Sequence, residues 1–596
     1  MSDVTRFQAP GLSFLVEPCG SVPVFGPEHF NEDQIMIRKT ATDFLEKEVV
    51  PRNDEIEAKK EGLGRDLLRQ AGELGLLSVD VPEEYGGLGS DKVTSNLLAE
   101  SVALHGSFSV IFGTHTGIGT LPIVFFGTEE QKRKYLPGLA GGEIVGCYAL
   151  TEAGSGSDAL AAKCRATLTP DGKHYVLNGE KMFITNVGFA DVGTVFAKID
   201  GEKFTAFIVE MSTPGVSTGN EEHKMGIHGS STRTLIMEDA KIPVGNLLGV
   251  AGEGHRIAFN ILNLGRLKLG LGCLGGCKAV IRESILYANQ RKQFGLPISK
   301  FHAIREKLAL MFARAFAVES MGYRTAAMID AAVARLDKKA ADYQAQVVKA
   351  IEEYAVEASI LKVTGSEALA FVADEGVQIH GGYGYISEYA VERAYRDCRV
   401  NRIFEGTNEI NRMIVPGTVL KRGMKGQFDL MGPLQRIAAE AKDPSQLPKP
   451  GSGPLALEAH LVDLLKRGVL YAANHAVMRH MADLQKQQMV LMAMADMMIE
   501  AYACDSAVAR ARQIAAEKGE AKARIPALLA GLYLAGALRA VRARAEDLLI
   551  NVSEDGDLAE RLADFGRLLG EYRFRTFPAK LELAAHLVER ERYALD

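Results

Sequence analysis

Tryptophan is absent from this chain, cysteine is scarce, and neither sign of charge dominates. The seven cysteines (Cys19, Cys147, Cys164, Cys273, Cys277, Cys398 and Cys504) are odd in number and scattered over 596 residues, which excludes a disulfide-framed secreted module. Cys273 and Cys277 stand one helical turn apart with no His or carboxylate cluster beside them, so buried free thiols are expected and no metal site. Lysine and arginine (69) against aspartate and glutamate (75) leave a net charge of −6. Basic clusters such as Arg291-Lys292 and Lys421-Arg422 are short, so the extended basic field that binds nucleic acid is missing. Long hydrophobic runs are missing too. The longest, residues 525–538, holds 14 residues broken by Pro526 and two glycines, against about 20 for a spanning helix. The first 25 residues lack the basic flank and apolar core of a secretion signal. The expectation is a cytoplasmic protein, with association at the periphery of a membrane left open.

What is present is an ordinary globular composition, 47% hydrophobic and 24% charged, with 60 glycines. At roughly 100–200 residues per domain the length allows about three to five units. Residues 33–140 carry apolar side chains at helical spacing: Ile35, Ile37, Ala41, Phe44 and Leu45, then Leu67, Leu68, Ala71, Leu74 and Leu76 up to the Tyr85-Gly86-Gly87 turn. Between residues 162 and 243 the texture turns to β. Pro170-Asp171-Gly172 and Asn178-Gly179 are turn signals, and strands are expected at 192–199, 204–211 and 232–237. Helical texture resumes at Gly254, with an Ala-, Leu- and Glu-rich stretch over 341–372 that suits a bundle. Residues 442–454 carry four prolines and read as a linker to a final helical unit. The expected architecture is α+β and mostly helical: a lead segment (1–32), an N-terminal helical domain (33–146), a middle β-barrel or sandwich domain (147–250), a four-helix-bundle domain (251–425), a linker (426–454) and an appended helical domain (455–596).

Four islands have compositions that packing alone does not require. Tyr148-Ala-Leu-Thr-Glu-Ala-Gly-Ser-Gly-Ser-Asp158 offers backbone N–H and hydroxyl donors to an electron-rich ligand, although a plain loop reads the same way. Lys181-Met-Phe-Ile-Thr-Asn186 could lie against a planar ring or be an ordinary strand. Asn289-Gln-Arg-Lys-Gln-Phe-Gly-Leu-Pro-Ile298 places basic residues at a helix end, suited to a phosphate or to the helix dipole. Phe404-Glu-Gly-Thr-Asn-Glu409 sets a carboxylate beside a glycine at a chain break; alternatively Thr407 or Asn408 caps a helix and Glu405 is a surface residue.

Taken together, and with Phe126-Gly-Thr-Glu-Glu-Gln-Lys-Arg-Lys-Tyr-Leu-Pro137 and Lys224-Met-Gly-Ile-His-Gly-Ser-Ser-Thr-Arg233, these islands resemble the acyl-CoA dehydrogenases over residues 33–419. The appended unit resembles that of the very-long-chain branch. The resemblance implies an FAD enzyme that oxidises long-chain acyl-CoA thioesters to trans-2-enoyl-CoA and passes electrons to electron-transfer flavoprotein, as in fatty-acid β-oxidation. It implies Glu405 as the catalytic base. It implies cofactor contacts at Tyr148, Leu150, Thr151, Gly156, Ser157, Phe183, Ile184 and Thr185. It also implies contacts from Gln378, Gly381, Gly382, Thr407, Asn408 and Glu409. Phe294 and His302 are implied as further cofactor contacts, and Arg291 and Gln293 would reach the cofactor of a neighbouring copy, hence a homodimer. Substrate contacts fall on Ser157, Asn263, Arg266 and Gly406.

Some relatives carry the base on the helix after Gly254, where this chain has Gly265. Phe183 stands where most relatives have Trp, while His228, His302, His380 and Lys268 are further departures, Lys268 at the thioester end of the pocket. Gly113, Gly117 and Gly119 lie where bulkier residues close the acyl pocket in shorter-chain relatives, which implies substrates of about C12 or more; each extra methylene buried contributes about 0.8 kcal/mol. The appended unit has three readings: a cover for a subunit surface, a membrane-lying helix near residues 455–478, or a docking site for a protein. An O₂-using oxidase and an assembly scaffold on the same fold are the rival functions.

Overall fold

The computed structural model describes residues 4–340 and 342–596. Ala341, where the sequence suggests that a bundle helix begins, lies outside the described residues, as do the first three residues of the lead segment.

The N-terminal helices start where a side chain can satisfy their free N–H groups. Asn31 caps Glu32–Phe44 by accepting from Gln34 N at 2.8 Å, Asp91 caps Lys92–Ser101, and Thr128 with Gln131 forms a capping box for Glu129–Gly141. Leu63–Glu73 buries Leu63, Leu67, Leu68 and Ala71 on one face and then gives way at Leu74. A further apolar rod runs from Gly106–Gly113 through a widened turn at Thr114–Gly119 into Leu121–Phe126.

The middle unit is one eight-stranded sheet: β1 (Gly146–Ala149), β2 (Arg165–Leu168), β3 (His174–Thr185), β4 (Val192–Ile199), β5 (Lys203–Glu210), β6 (Val216–Thr218), β7 (Thr232–Pro243) and β8 (Leu247–Leu248). Its order is β6-β7-β3-β2-β4-β5-β8, with β1 added to β4 in parallel. The Pro170–Gly172 turn is present, with Gly172 at φ 68°. Asn178-Gly179 is not a turn. It lies inside β3 as a bulge against β7, because Gly179 at φ 136° has no room for a side chain beside Cys164 and Asn178 is held by Asp239.

The bundle comprises Gly254–Gln290, His302–Val333, Ala355–His380 and Asn408–Met424; the appended helices Gln488–Lys518 and Glu520–Val552 pack directly on it, and Ala456–His480 packs against those two. One hydrophobic cluster runs through both, and it includes the lead segment: Phe7, Leu12, Phe14, Leu15, Val24 and Phe25 are buried there. The lead segment is thus a strap laid between bundle and extension. Its polar backbone is satisfied by Glu357, which accepts from Leu12 N at 2.6 Å, by Asp463, which accepts from Cys19 N at 2.7 Å, and by Lys466, which donates to Glu17 O at 2.8 Å. Arg510, 1% exposed, pairs with Glu28 at 2.7 Å and Glu319 at 2.8 Å, and Lys278 links Glu319 to Glu100.

All seven cysteines are buried free thiols. Among the described residues three helical stretches, Gly106–Phe126, Gly254–Gln290 and Glu520–Val552, are long and apolar enough to cross a membrane by length and composition. In each, 61–72% of the apolar window is buried against protein. The helix Ala456–His480 likewise turns its apolar face inward and leaves Leu457 and Met478 exposed.

Candidate active site

A cavity of about 1440 Å³ lies between the N-terminal helices, the sheet and the bundle. Its floor along Gly254–Gln290 is Phe259, Leu262, Gly265, Leu269, Gly272 and Gly276, spaced three and four apart so that they form one helical face. At about 1.5 Å per residue that face is about 25 Å long, and its three glycines leave a groove. Gly113 and Gly117 line the opposite wall, where a side chain on either would meet open space. Gly119 does not contribute to the cavity as expected; it packs against the backbone of Gly146, a contact that excludes any side chain.

Glu405 lies at the cavity wall on the turn between Arg399–Arg402 and Asn408–Met424. Its backbone is in the left-handed region, φ 59°, followed by Gly406 at φ 80°. A non-glycine residue there is strained and persists only where its surroundings hold it. They do so through the carbonyls. Glu405 O accepts from Arg266 Nε at 3.2 Å, and Gly406 O accepts from Lys362 Nζ and from Asn411 Nδ2, both at 2.8 Å. Thr407 is the helix cap, its hydroxyl accepting from Ile410 N at 3.3 Å, so capping and display of Glu405 belong to the same turn.

The Glu405 carboxyl points at Gly265. A methyl group on Gly265 would come within 2.6 Å of Oε2. That oxygen is buried and has no hydrogen-bond partner among the described residues. Burial pushes the carboxyl up to about 7, against the pull of Arg266 and Lys362. An uncommitted carboxyl with that poise, facing an apolar groove, can take a proton from a carbon acid near neutral pH.

The glycine- and serine-rich loop after β1 supplies another wall. Tyr148, Leu150, Thr151, Gly156 and Ser157 line the cavity, and the Tyr148 hydroxyl is buried without a partner among the described residues. Across from them Phe183, Ile184 and Thr185 complete the rim, with Phe183 at φ 59° and 59% exposed at a second irregularity of β3. Lys181, fully buried, fixes loop to strand: its Nζ pairs with Glu152 at 2.7 Å and donates to Leu150 O at 3.1 Å, while Met182 N donates to Thr151 O.

Twelve of the anticipated residues therefore meet in one cavity: the eight just named with Arg266, Glu405, Gly406 and Thr407. Asn263 is buried beside it, its Oδ1 accepting from Arg266 Nη1 at 3.0 Å, and Asn408 is buried against Ser366 and Lys362. Glu409 is exposed. Arg291, Gln293, Gly381 and Gly382 line a separate cavity of about 590 Å³, with Gln378, Phe294 and His302 exposed on the surface. Phe294 and Gly295 turn a short hairpin, and Tyr287 stacks on His380 at 4.1 Å beneath it. Lys268 is tied to Asp80 at 2.6 Å, which Lys92 also pairs.

Sequence reading missed Lys362, Asn411 and the Glu152–Lys181 pair. The signal was a lone lysine in the apolar run Ala358-Ser-Ile-Leu-Lys362-Val363, and opposite charges in two islands considered apart.

The chain matches the N-terminal (31–143), middle (147–240) and C-terminal (252–420) domains of acyl-CoA dehydrogenase, and a second acyl-CoA dehydrogenase C-terminal domain over 464–563. It is 48% identical over 586 residues to a probable acyl-CoA dehydrogenase of Bacillus subtilis, covering 98% of both chains. With the very long-chain specific acyl-CoA dehydrogenase of Rattus norvegicus it shares 40% over 404 residues, 65% of this chain and 58% of that one. The crystal structure of an acyl-CoA dehydrogenase complexed with FAD from Bacillus anthracis superposes with TM-score 0.96 at 48% identity, over 98% of this chain and 100% of that one. Sequence, fold and cavity agree: the chain belongs to the acyl-CoA dehydrogenase family.

Proposed function

We propose that the protein is an FAD-dependent dehydrogenase of long-chain acyl-CoA thioesters with Glu405 as its base. The observation that carries this is the Glu405 carboxyl, one oxygen unpartnered, set against Gly265 in a glycine-lined apolar groove. The residues present suit a flavin: the loop at Gly154 and Gly156 leaves room for close approach, and the Tyr148 hydroxyl is a buried group in want of a partner. Tyr148, Leu150, Thr151, Gly156, Ser157, Phe183, Ile184 and Thr185 would hold its ring system. Arg291, Gln293, Phe294, His302, Gln378, Gly381 and Gly382 would serve the distal part of the cofactor of a second copy, which favours a homodimer. When bound, the flavin supplies the acceptor for the hydride leaving Cβ of the acyl chain.

The chain's own part is the other half of the reaction. Glu405 takes the proton from Cα, and its burial makes a carboxylate basic enough to do so. The apolar wall excludes water and holds the acyl chain in line with the base. Arg266 lies beneath the turn and balances the charge that Glu405 carries before transfer. Electron-transfer flavoprotein fits as acceptor, since Phe183 is exposed at the rim of the cavity.

Anaerobic mixing with acyl-CoAs of increasing length tests this. Flavin bleaching with palmitoyl-CoA, exceeding that with butyryl-CoA, supports the assignment, and Gly117→Leu should shift the preference toward shorter chains. Bleaching with no acyl-CoA of any length overturns it. Peroxide release in air without an added acceptor identifies the oxidase instead.

A further inference from the structure

The Glu405–Gly406 turn is held from below by a cation that touches neither the cavity nor the Glu405 carboxyl. Lys362 lies on Ala355–His380 and is fully buried among apolar residues. An unpaired buried ammonium is costly, and this one has no carboxylate partner at hydrogen-bond distance among the described residues. It donates to two neutral oxygens, Gly406 O and Asn408 Oδ1, both at 2.8 Å. Asn411, one turn into the helix that Thr407 caps, adds Nδ2 contacts to Gly406 O at 2.8 Å and Thr407 O at 3.1 Å. Two donors therefore converge on the carbonyl of Gly406, the residue that follows the base and shares its left-handed backbone. Pointing that carbonyl down at Lys362 fixes the peptide plane and so the direction in which Glu405 leaves the turn.

We infer that Lys362 is a positioning residue for the reaction: it locks the strained Glu405–Gly406 turn so that the carboxyl faces Gly265, and its charge, near but not paired with Glu405, stabilises the carboxylate. The inference rests on Glu405 being the base. Its geometry is not that of a packing residue, for an apolar side chain would fill the same space without orienting a carbonyl. The charge acts in a stated direction: Arg266 and Lys362 both favour the ionised carboxylate, and Lys362, which burial pushes down to about 8, still carries its charge where Glu405 titrates near 7, so removing it moves the carboxyl's titration upward.

The test uses the full-length, flavin-loaded enzyme with Lys362→Met, which keeps length without charge, and Lys362→Arg, which keeps charge. The expectation for Lys362→Met is normal flavin content, flavin reduction slower by about 100-fold, and an inflection in the pH–rate profile higher by about one pH unit. Lys362→Arg should return the inflection to its wild-type position. Asn411→Ala, which removes the second donor and no charge, should slow reduction without moving the inflection; it also serves if Lys362→Met does not fold. An unchanged rate and inflection in Lys362→Met overturns the inference, as does a rate loss that merely follows lost flavin. Glu405→Gln is measured alongside. Full reduction by that variant defeats the base assignment itself, whereas its failure with an unaltered Lys362→Met defeats only the role of Lys362.

Discussion

At the scale of single residues, the site depends on one missing side chain. Gly265 was notable in the sequence because some relatives carry their base there; the structure gives the absence a positive reason, since even a methyl group would come within 2.6 Å of the Glu405 carboxyl. Gly265→Ala is expected to leave folding intact and to displace Glu405, the proposed base, slowing flavin reduction by about 100-fold while substrate binding changes little. Equal rates would show that Glu405 has room to spare. Glu405 itself was legible as a residue in a motif, but its left-handed backbone and its unpartnered oxygen were not, because the turn is held by Arg266, Lys362 and Asn411 and the oxygen faces Gly265 on another helix.

At the scale of elements, β3 departs furthest from a simple reading. Asn178-Gly179 has the composition of a hairpin turn, yet pairing with β7 on both sides absorbs it as a bulge. A second irregularity follows between Lys181 and Ile184, and it turns Phe183 outward at the cavity rim. Propensity within four residues could not reveal this, since the competing partner lies more than 50 residues downstream. Lys181 then becomes the anchor that ties the glycine- and serine-rich loop to β3. Breaking a buried ion pair by removing one partner costs about 3–5 kcal/mol. Lys181→Met should therefore lower the stability of the sheet unit by an amount of that order and weaken flavin retention, read by thermal unfolding and by flavin released on dilution; a variant as stable and as yellow as wild type would refute the anchor.

At the scale of the whole molecule, the helix–sheet–helix order and the appended unit could be read from texture, but the lead segment could not. Residues 4–30 show no periodicity, and their burial is created by two surfaces that the sequence does not juxtapose: the bundle at Glu357 and the extension at Asp463, Lys466 and Arg510. Arg510 gathers charges from the strap and the bundle in a site 1% exposed, so Arg510→Met strands Glu28 and leaves Glu319 with Lys278 as its one cation among the described residues. The expected result is loss of about 3 kcal/mol and proteolytic cleavage within the strap, since removing Arg510 leaves the Glu28 carboxylate without its cation. Retention of wild-type protease resistance would show that the strap is held by its apolar residues alone.

The whole assembly converges on one poised carboxyl. Burial raises Glu405 to about 7, and only its ionised form accepts a proton. The second-order rate of anaerobic flavin reduction by a long-chain acyl-CoA should therefore rise with pH, pass its midpoint near 7 and level off above it, and Glu405→Gln should lower the plateau by about 1,000-fold. A rate that is flat from pH 5 to 9, or undiminished in Glu405→Gln, would contradict the account.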